Sequence, residues 1–449
     1  MRPAPLAALA AVLLAPAVHA QDGNLDSTFG AGGQVVYSVG MSPSTVRGVA
    51  VTEAGIFLTG ELEYYAGNFD FLVHRLGPTG TYLANSGPLA FDLVASGSDF
   101  PYSLAAAPGG KLVVAGTAVD PSGAHEIGVA RLDQATLGLD PGFNGSGKVV
   151  LAFGGLDFNN PRLAVLGDGS VLVGVTFGST ISTDTDFGVF KLLPDGSPDL
   201  AFGAFGFASV AFDLGGGHAD ALGGLAVQPD GKIVLAGSAE WTAPDLDFAL
   251  ARLDATGNPD TAFGPYGTGK TFVPFDLDAA ATDQALAVAL AADGRIAAVG
   301  TASNGVVVGA VAMLTPAGEL DSAFDGDGRQ FVQWLGGGTA VNRPQAAAFE
   351  SDGSLFVGGD AYWNYGGDGL LGIARLLPSG AFDPTFFGGG FYSWNLDPGW
   401  ETVEAAALDG GRPVLVGTRN GAWATVRLTN ALIFRDGFES GSTHAWSAF

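Results

Sequence analysis

The chain has 449 residues, with 71 glycines, no cysteine, and 45 acidic against 19 basic side chains, for a formal charge of −26. The glycines follow no Gly-X-Y period, which excludes collagen, and 47% hydrophobic residues exclude an acidic disordered polymer. The charge argues against nucleic acid, which needs clustered lysine and arginine. The lack of cysteine removes disulfides, thiol chemistry and thiolate metal sites.

Residues 1–20, MRPAPLAALAAVLLAPAVHA, are expected to form a signal peptide. Arg2 supplies the positive start, Leu6 to Leu14 the apolar stretch, and Val18-His19-Ala20 the small-residue end where cleavage would fall. A buried N-terminal helix is the competing reading. The apolar run is too short for a membrane span and is broken by Pro16. No later segment has span length, Val306 to Leu314 being the longest apolar run. The expected location is therefore secreted, periplasmic or cell-envelope, and the absence of cysteine points to a bacterial source.

Residues 21–428 repeat. A turn followed by a β-rich run, as in Asp230-Gly231-Lys232-Ile233-Val234, places glycine at 55, 110, 169, 231, 294, 353 and 410. A second column holds Arg75, Arg131, Lys191, Arg252, Met313, Arg375 and Arg427. A third is the phrase Leu25-Asp26-Ser27-Thr28-Phe29-Gly30, returning around Phe143, Phe202, Phe263, Phe324 and Phe386 but worn away near Leu83-Ala84. In the fourth unit the strand-like runs are Phe207–Phe212, Ala221–Gln228, Lys232–Ala239 and Asp247–Leu253, and helical periodicity is nowhere sustained. Four strands in about 60 residues, seven times over, predict an all-β, seven-bladed β-propeller. An open β-solenoid or stacked sandwiches fit less well. Two closure schemes stay open: the first strand (Gln34–Val39) completes the last blade, or each unit is one whole blade.

The phrases Ala-Arg-Leu, Pro-Asp-Gly, Leu-Asp-x-x-Phe-Gly and Asp-Gly-Lys-Ile-Val-Leu-Ala-Gly resemble the delta-60 repeat family of exported bacterial proteins. The best copy runs from Asp199 to Leu253, and the likeness covers residues 25–428. The second unit departs by lacking the Phe and Asp, and the fifth by Met313. The resemblance implies architecture and export and brings no catalytic residues.

A residue needed once per unit is a turn former, a packing anchor or an ion-pair partner. The Arg or Lys of one unit is expected to pair with the repeated Asp (Asp26, Asp140, Asp199, Asp260, Asp321, Asp383) of its own or the following unit, and the Phe to plug the gap between blades. Asp325-Gly326-Asp327-Gly328 fails as an EF-hand, because position 5 is Arg329 and position 12 is Gly336. His74, His125, His218 and His444 show no paired spacing, so no metal and no cofactor are expected. No G-x-S-x-G elbow anchors a triad, and Gly215-Gly216-Gly217 and Gly336-Gly337-Gly338 lack the Lys-Ser/Thr of a phosphate cradle.

The loops opposite the Asp-Gly turns are irregular, and irregular loops carry individuality. Tyr64, Tyr65, Trp241, Tyr362, Trp363 and Tyr365 are the candidate ligand-binding residues there, with Trp334, Trp394 and Trp400 in the neighbouring loops. Aromatic rings beside carboxylates suit a glycan or a protein partner; rings packed on neighbouring blades are the structural alternative. The function expected is a non-enzymatic, monomeric binding or cell-envelope module. A secreted hydrolase or lyase acting on polysaccharide through acidic residues at the propeller centre is the alternative. Residues 429–449, with Asp436-Gly437-Phe438-Glu439-Ser440-Gly441, form a tail outside the repeat. It resembles an ending shared by assorted exported proteins of gamma-proteobacteria.

Overall fold

The computed structural model describes residues 23–40, 44–65, 67–91, 97–120, 123–152, 156–179, 184–212, 218–242, 245–275, 282–303, 305–336, 340–363, 369–395 and 400–429. The expected signal peptide and the tail from residue 430 onward lie outside these residues. The described residues form 28 strands and no helix, as alternation without a helical period requires.

One sheet illustrates the rest. Ala221–Val227, Ile233–Thr242, Asp245–Leu253 and Lys270–Val273 pair in that order as an antiparallel meander, with Ala236 opposite Leu250 and Leu250 opposite Thr271. The first two strands turn at Asp230-Gly231, where Gly231 takes φ +85° and the Asp230 carboxylate accepts the Lys232 N–H at 3.2 Å. Five four-stranded sheets and one eight-stranded sheet make up the fold. The eight-stranded sheet is two such meanders joined by a parallel contact between Val307 and Val341.

The fourth strand of each meander comes from the following sequence unit, so a sequence unit and a sheet are offset by one strand. Beside Ala422–Arg427 that place is filled by Gln34–Tyr37, with Tyr37 opposite Trp423. Of the two closure schemes, the first strand completing the last sheet is the one observed. The first strands also pack in series. Val46–Thr52 lies against Asp99–Ala107, the contact continues through every later first strand, and Trp400–Asp409 returns to Val46–Thr52.

The core lies between neighbouring sheets. Leu172, Phe187 and Val189 of one sheet pack with Leu222, Leu235 and Ala249 of the next. At the seam between the ends of the chain, Val46, Leu58 and Leu72 share a core with Val414, Val416 and Trp423. Full burial of such side chains contributes about 1.5–3 kcal/mol each.

The repeated Asp and basic residue meet as expected. Arg131 lies 2.8 Å from Asp140, Lys191 3.0 Å from Asp199, Arg252 2.8 Å from Asp260, and Arg375 2.7 Å from Asp383. Arg427 reaches Asp26 at 2.8 Å, tying the end of the chain to its start. Each of these cations sits 4.6–5.7 Å from the centroid of the repeated Phe: Phe143, Phe202, Phe263, Phe386 or Phe29. Those rings are buried, as gap plugs should be. Arg131, Arg252 and Arg427 also donate to the carbonyls of Pro194, Pro316 and Pro78 in the next sheet.

Two units depart from this pattern, and both were marked in the sequence. Where the second unit lacks the Asp, Arg75 donates instead to the Ala54 carbonyl at 2.6 Å. At Met313 the pair is missing: among the described residues no basic group lies within 4.0 Å of Asp321. Arg295 then donates to the Pro378 carbonyl at 3.4 Å, the next-sheet bond that a basic residue at 313 would supply.

Candidate ligand-binding channel

Each first strand carries a β-bulge at the same level. Register slips isolate Arg47, Tyr102, Gly223, Leu286, Gln345 and Glu404, and in the third sheet Asn160 with Pro161. A bulge re-aims the extra residue away from the regular alternation. All of these except Pro161 line one cavity of about 360 Å³, enclosed by the first strands of every sheet. Asn160 holds φ +52°, a left-handed conformation that asparagine tolerates better than most residues.

The cavity wall is polar on one side. Arg47 lies 3.4 Å from Glu61 and 4.0 Å from Glu404, with its guanidinium 5.5 Å from the Tyr102 ring centroid. Gln345 donates to Asp360 at 2.8 Å, and Arg343 reaches the same carboxylate at 3.2 Å. That hydrogen bond orients Gln345 from beneath, and burial raises the Asp360 pKa against the pull of Arg343. The other side is apolar, with Leu225, Leu286 and Val288.

Arg162 is the distinctive group. It stands beside the third bulge, and its Nε donates to the Gly223 carbonyl of the next sheet at 2.7 Å. Among the described residues no carboxylate lies within 4.0 Å of it. Burial lowers its pKa, while Tyr102 and Glu404 push it back up and Arg47 lowers it further. Arginine stays protonated through such shifts, so a half-buried cation faces the cavity with a carbonyl as its anchor. Glu404 is the one carboxylate among the cavity-lining residues, against the guanidiniums of Arg47 and Arg162.

The aromatic candidates fall elsewhere and in a different form. The residues expected in loops continue strands instead: Tyr64 and Tyr65 end Gly55–Tyr65, Trp241 lies in Ile233–Thr242, and Tyr362 and Trp363 end Leu355–Trp363. Alternation simply persists through Glu61-Leu62-Glu63-Tyr64, and the connection beyond is a short hairpin. Tyr362 is half-buried beneath Arg343, 6.0 Å from its ring centroid, and Trp363 is 43% exposed. The side chains of Tyr64, Tyr65 and Trp241, and Tyr365 as a whole, lie outside the described set. Trp334 is a core residue, 6% exposed and packed over Gly372.

Two features escaped sequence reasoning. The bulged residues carry no motif, yet Arg47, Tyr102, Gly223, Leu286 and Gln345 each stand eight positions ahead of a repeated turn glycine. That fixed offset was the available signal. The second feature is a loop clamp. Asp99, Asp220, Asp283 and Asn342 accept the backbone N–H of Phe91, Phe212, Phe275 and Trp334, eight residues earlier, at 2.6–2.8 Å.

A cluster of carboxylates also surrounds Glu126. Burial, with Asp120 and Asp157 nearby, pushes its pKa up to about 7. Its neighbours are occupied with backbone, since Asp120 accepts the Ala124 N–H at 3.0 Å and Asp157 the His125 N–H at 2.7 Å. Among the described residues no group of three or more His, Asp or Glu could hold a metal ion. The described residues include no helix long and apolar enough to cross a membrane.

Comparison with known proteins bears on the fold. Residues 166–202, 228–263, 291–324 and 350–386 match a family described as "Domain of unknown function (DUF5122) beta-propeller". The chain thus carries β-propeller repeats. It matches no curated protein. Among solved structures it is similar to a gluconolactonase from Xanthomonas campestris, at 14% identity and TM-score 0.36, covering 88% of this chain and 89% of that one. A glucose dehydrogenase shares 12% identity at TM-score 0.39 over 72% and 95% of the two chains. A GH43 enzyme from Xanthomonas citri, solved with xylotriose, shares 13% at TM-score 0.34 over 88% and 90%.

Proposed function

We propose that this protein is an exported, seven-bladed β-propeller of the delta-60 type that binds a small organic anion in its central channel. The seven-fold ring is supported by the first strands packing in series until Trp400–Asp409 meets Val46–Thr52, and by the Arg427–Asp26 pair across the same seam. Export rests on the signal-like residues 1–20, with a secreted, periplasmic or envelope location following from it.

One observation carries the ligand class: the Arg162 guanidinium faces the cavity with no carboxylate partner, in a chain where acids outnumber bases 45 to 19. A desolvated, unpaired cation is unfavourable until an anion reaches it. A planar carboxylate would match the guanidinium fork. The Tyr102 hydroxyl and the Gln345 amide would take its remaining polar groups, and Leu286 and Val288 would cover its carbon skeleton. Binding without catalysis is the reading favoured, because the one carboxylate of the described lining, Glu404, lies 4.0 Å from Arg47. A hydrolytic pair would need a second free carboxylate within reach. The strand ends at Tyr64, Tyr65, Trp241, Tyr362, Trp363 and Tyr365 are proposed as an accessory contact zone for a glycan or protein, with no nucleic-acid partner and a monomeric chain.

Calorimetric titration with glucuronate, galacturonate, citrate and succinate tests the central claim. At least one should bind the wild type, and Arg162→Met should lose that binding by roughly 100-fold, as expected for a charge-assisted pair in a sheltered site. Binding that survives Arg162→Met unchanged, or no binding by any of the four, would overturn it.

A further inference from the structure

We propose a second, independent site at the seam where the chain's two ends meet: a groove that binds the ring of a neutral sugar. A cavity of about 550 Å³ opens there, lined by Tyr37, Leu62, Leu72, His74, Tyr82 and Asn85 among others. That size lies within the roughly 300–1,000 Å³ typical of small-molecule sites. Tyr37 stacks on His74 at 5.2 Å with an interplanar angle of 7°, and Trp423 closes the cluster 4.9 Å from His74.

The seam departs from the repeat in one consistent way. His74 precedes the basic residue of its unit, and the same position elsewhere is Ala130, Phe190, Ala251, Ala312, Ala374 and Val426. Tyr37 ends its outer strand, where other sheets have Leu151, Val210, Val273, Val332 and Trp394. The position before the basic residue, apolar in every other unit, therefore carries a hydrogen-bonding ring at this seam. The polar atoms of the cluster are not used by the protein: Tyr37 Oη, His74 Nδ1 and Trp423 Nε1 are all buried without a hydrogen-bond partner. Each such atom costs about 1–3 kcal/mol when left unpaired, and the two whose side chains line the cavity, on Tyr37 and His74, call for a ligand with hydroxyl groups.

The chemistry of the wall selects a neutral ligand. No Asp, Glu, Lys or Arg lines the groove. Burial pushes the His74 pKa down to about 4, so its imidazole is neutral at physiological pH. An ion would find no counter-charge here, and a purely apolar ligand would leave Tyr37 Oη and His74 Nδ1 unpaired. A pyranose answers both conditions, with a C–H face for an aromatic ring and hydroxyls for Oη and Nδ1. Tyr82, 48% exposed and held by Asn85 at 2.6 Å, offers such a ring at the mouth.

Saturation-transfer NMR and calorimetry on the full chain with glucose, galactose, N-acetylglucosamine and cellobiose provide the test, with glucuronate on the Arg162→Met protein as the charged control. At least one neutral sugar should bind. Tyr37→Phe, which removes only the unpartnered oxygen, should weaken it roughly tenfold without lowering the melting temperature, and Arg162→Met should leave it unchanged. The proposal fails if no neutral sugar binds up to about 10 mM. It also fails if Tyr37→Phe and His74→Ala bind as wild type does, or if Arg162→Met abolishes the sugar signal, which would move the sugar into the channel.

Discussion

The turn side of the molecule and its central channel use the same residue types to opposite ends. On the turn side five of the repeated basic residues are matched to an Asp and laid over a Phe, and the solution recurs from Arg131 to Arg427. In the channel one backbone device recurs, the bulge, but its residue changes at every step: Arg47, Tyr102, Gly223, Leu286, Gln345, Glu404. Repetition of a side chain marks what each unit needs to stand against its neighbour. Divergence at a fixed backbone position marks a surface free to specialise. The cations show the contrast most sharply, since Arg375 is sealed against Asp383 while Arg162 has only a carbonyl.

The sharpest way to break that contrast is Arg375→Met. Arg375 is 1% exposed, with Asp383 at 2.7 Å and Glu350 at 3.8 Å. Removing it strands two buried carboxylates, and urea denaturation should show a loss of about 3–5 kcal/mol. The chain contains its own control, because Met313 occupies the equivalent place. Met is tolerated there because Asp321 is half-exposed and the counterpart of Glu350 is Ala291. A loss below about 1 kcal/mol would mean that the pair is ornamental in every unit.

Glycine on the turn side sharpens the same point. Gly318 has φ +84°, and a Cβ there would lie 2.5 Å from the Phe263 ring that plugs the neighbouring sheet. Gly318→Ala combines backbone strain with displacement of a core ring and should cost about 2–3 kcal/mol. Gly305, at φ +88° with nothing within 4 Å of a Cβ, should cost only about 1 kcal/mol on the same change. Equal losses in the two variants would show that the Phe plug does not constrain the turn.

Much of the turn side was legible in the sequence for a physical reason. The Asp, Arg and Phe of each staple lie within one short stretch, as with Arg131, Asp140 and Phe143, so the period alone brings them into view. Even the exceptions, Met313 and the worn second unit, were visible as gaps in a column. The channel was not legible, because Arg162 and Glu404 are brought near each other only by the series of first strands, and a bulge leaves no composition signal. The aromatic strand ends were misread as loops because rich side chains next to a turn look irregular, although the period of two continues through them. The one-strand offset between unit and sheet was open in sequence since both schemes satisfy the same alternation.

The two kinds of carboxylate should also separate by pH. Burial pushes Asp383 up, but hydrogen bonds from Thr385 and the charge of Arg375 outweigh it and leave the pKa below 3.8. Its folded pKa is depressed, so its stabilisation is present above the unfolded value and is lost as pH falls through the folded one. Glu126 runs the other way. Its pKa is raised from 4.5 to about 7, so the folded state holds an extra proton between those values. Its charge is a penalty that grows as pH rises from 4.5 to 7 and is full above that. Glu126→Gln should therefore stabilise the protein by about 1–3 kcal/mol at pH 8, and by nearly nothing at pH 4. Thermal unfolding of both proteins across this range checks it, and a gain independent of pH would remove the charge from the explanation.

The smallest effect on stability carries the most weight for the channel. Arg162→Met deletes a cation that pairs with no carboxylate, keeps a long apolar stem beside Leu225, and gives up one bond to the Gly223 carbonyl. Loss of that bond costs about 1 kcal/mol, and relief of an unpaired, half-buried charge offsets it. The net change in urea midpoint should fall within about 1 kcal/mol of zero, against the several lost at Arg375. Identical chemistry at two arginines would then give opposite outcomes, folding at one and ligand capture at the other. A loss at Arg162 as large as that at Arg375 would assign it to the scaffold and leave the channel without its anion anchor.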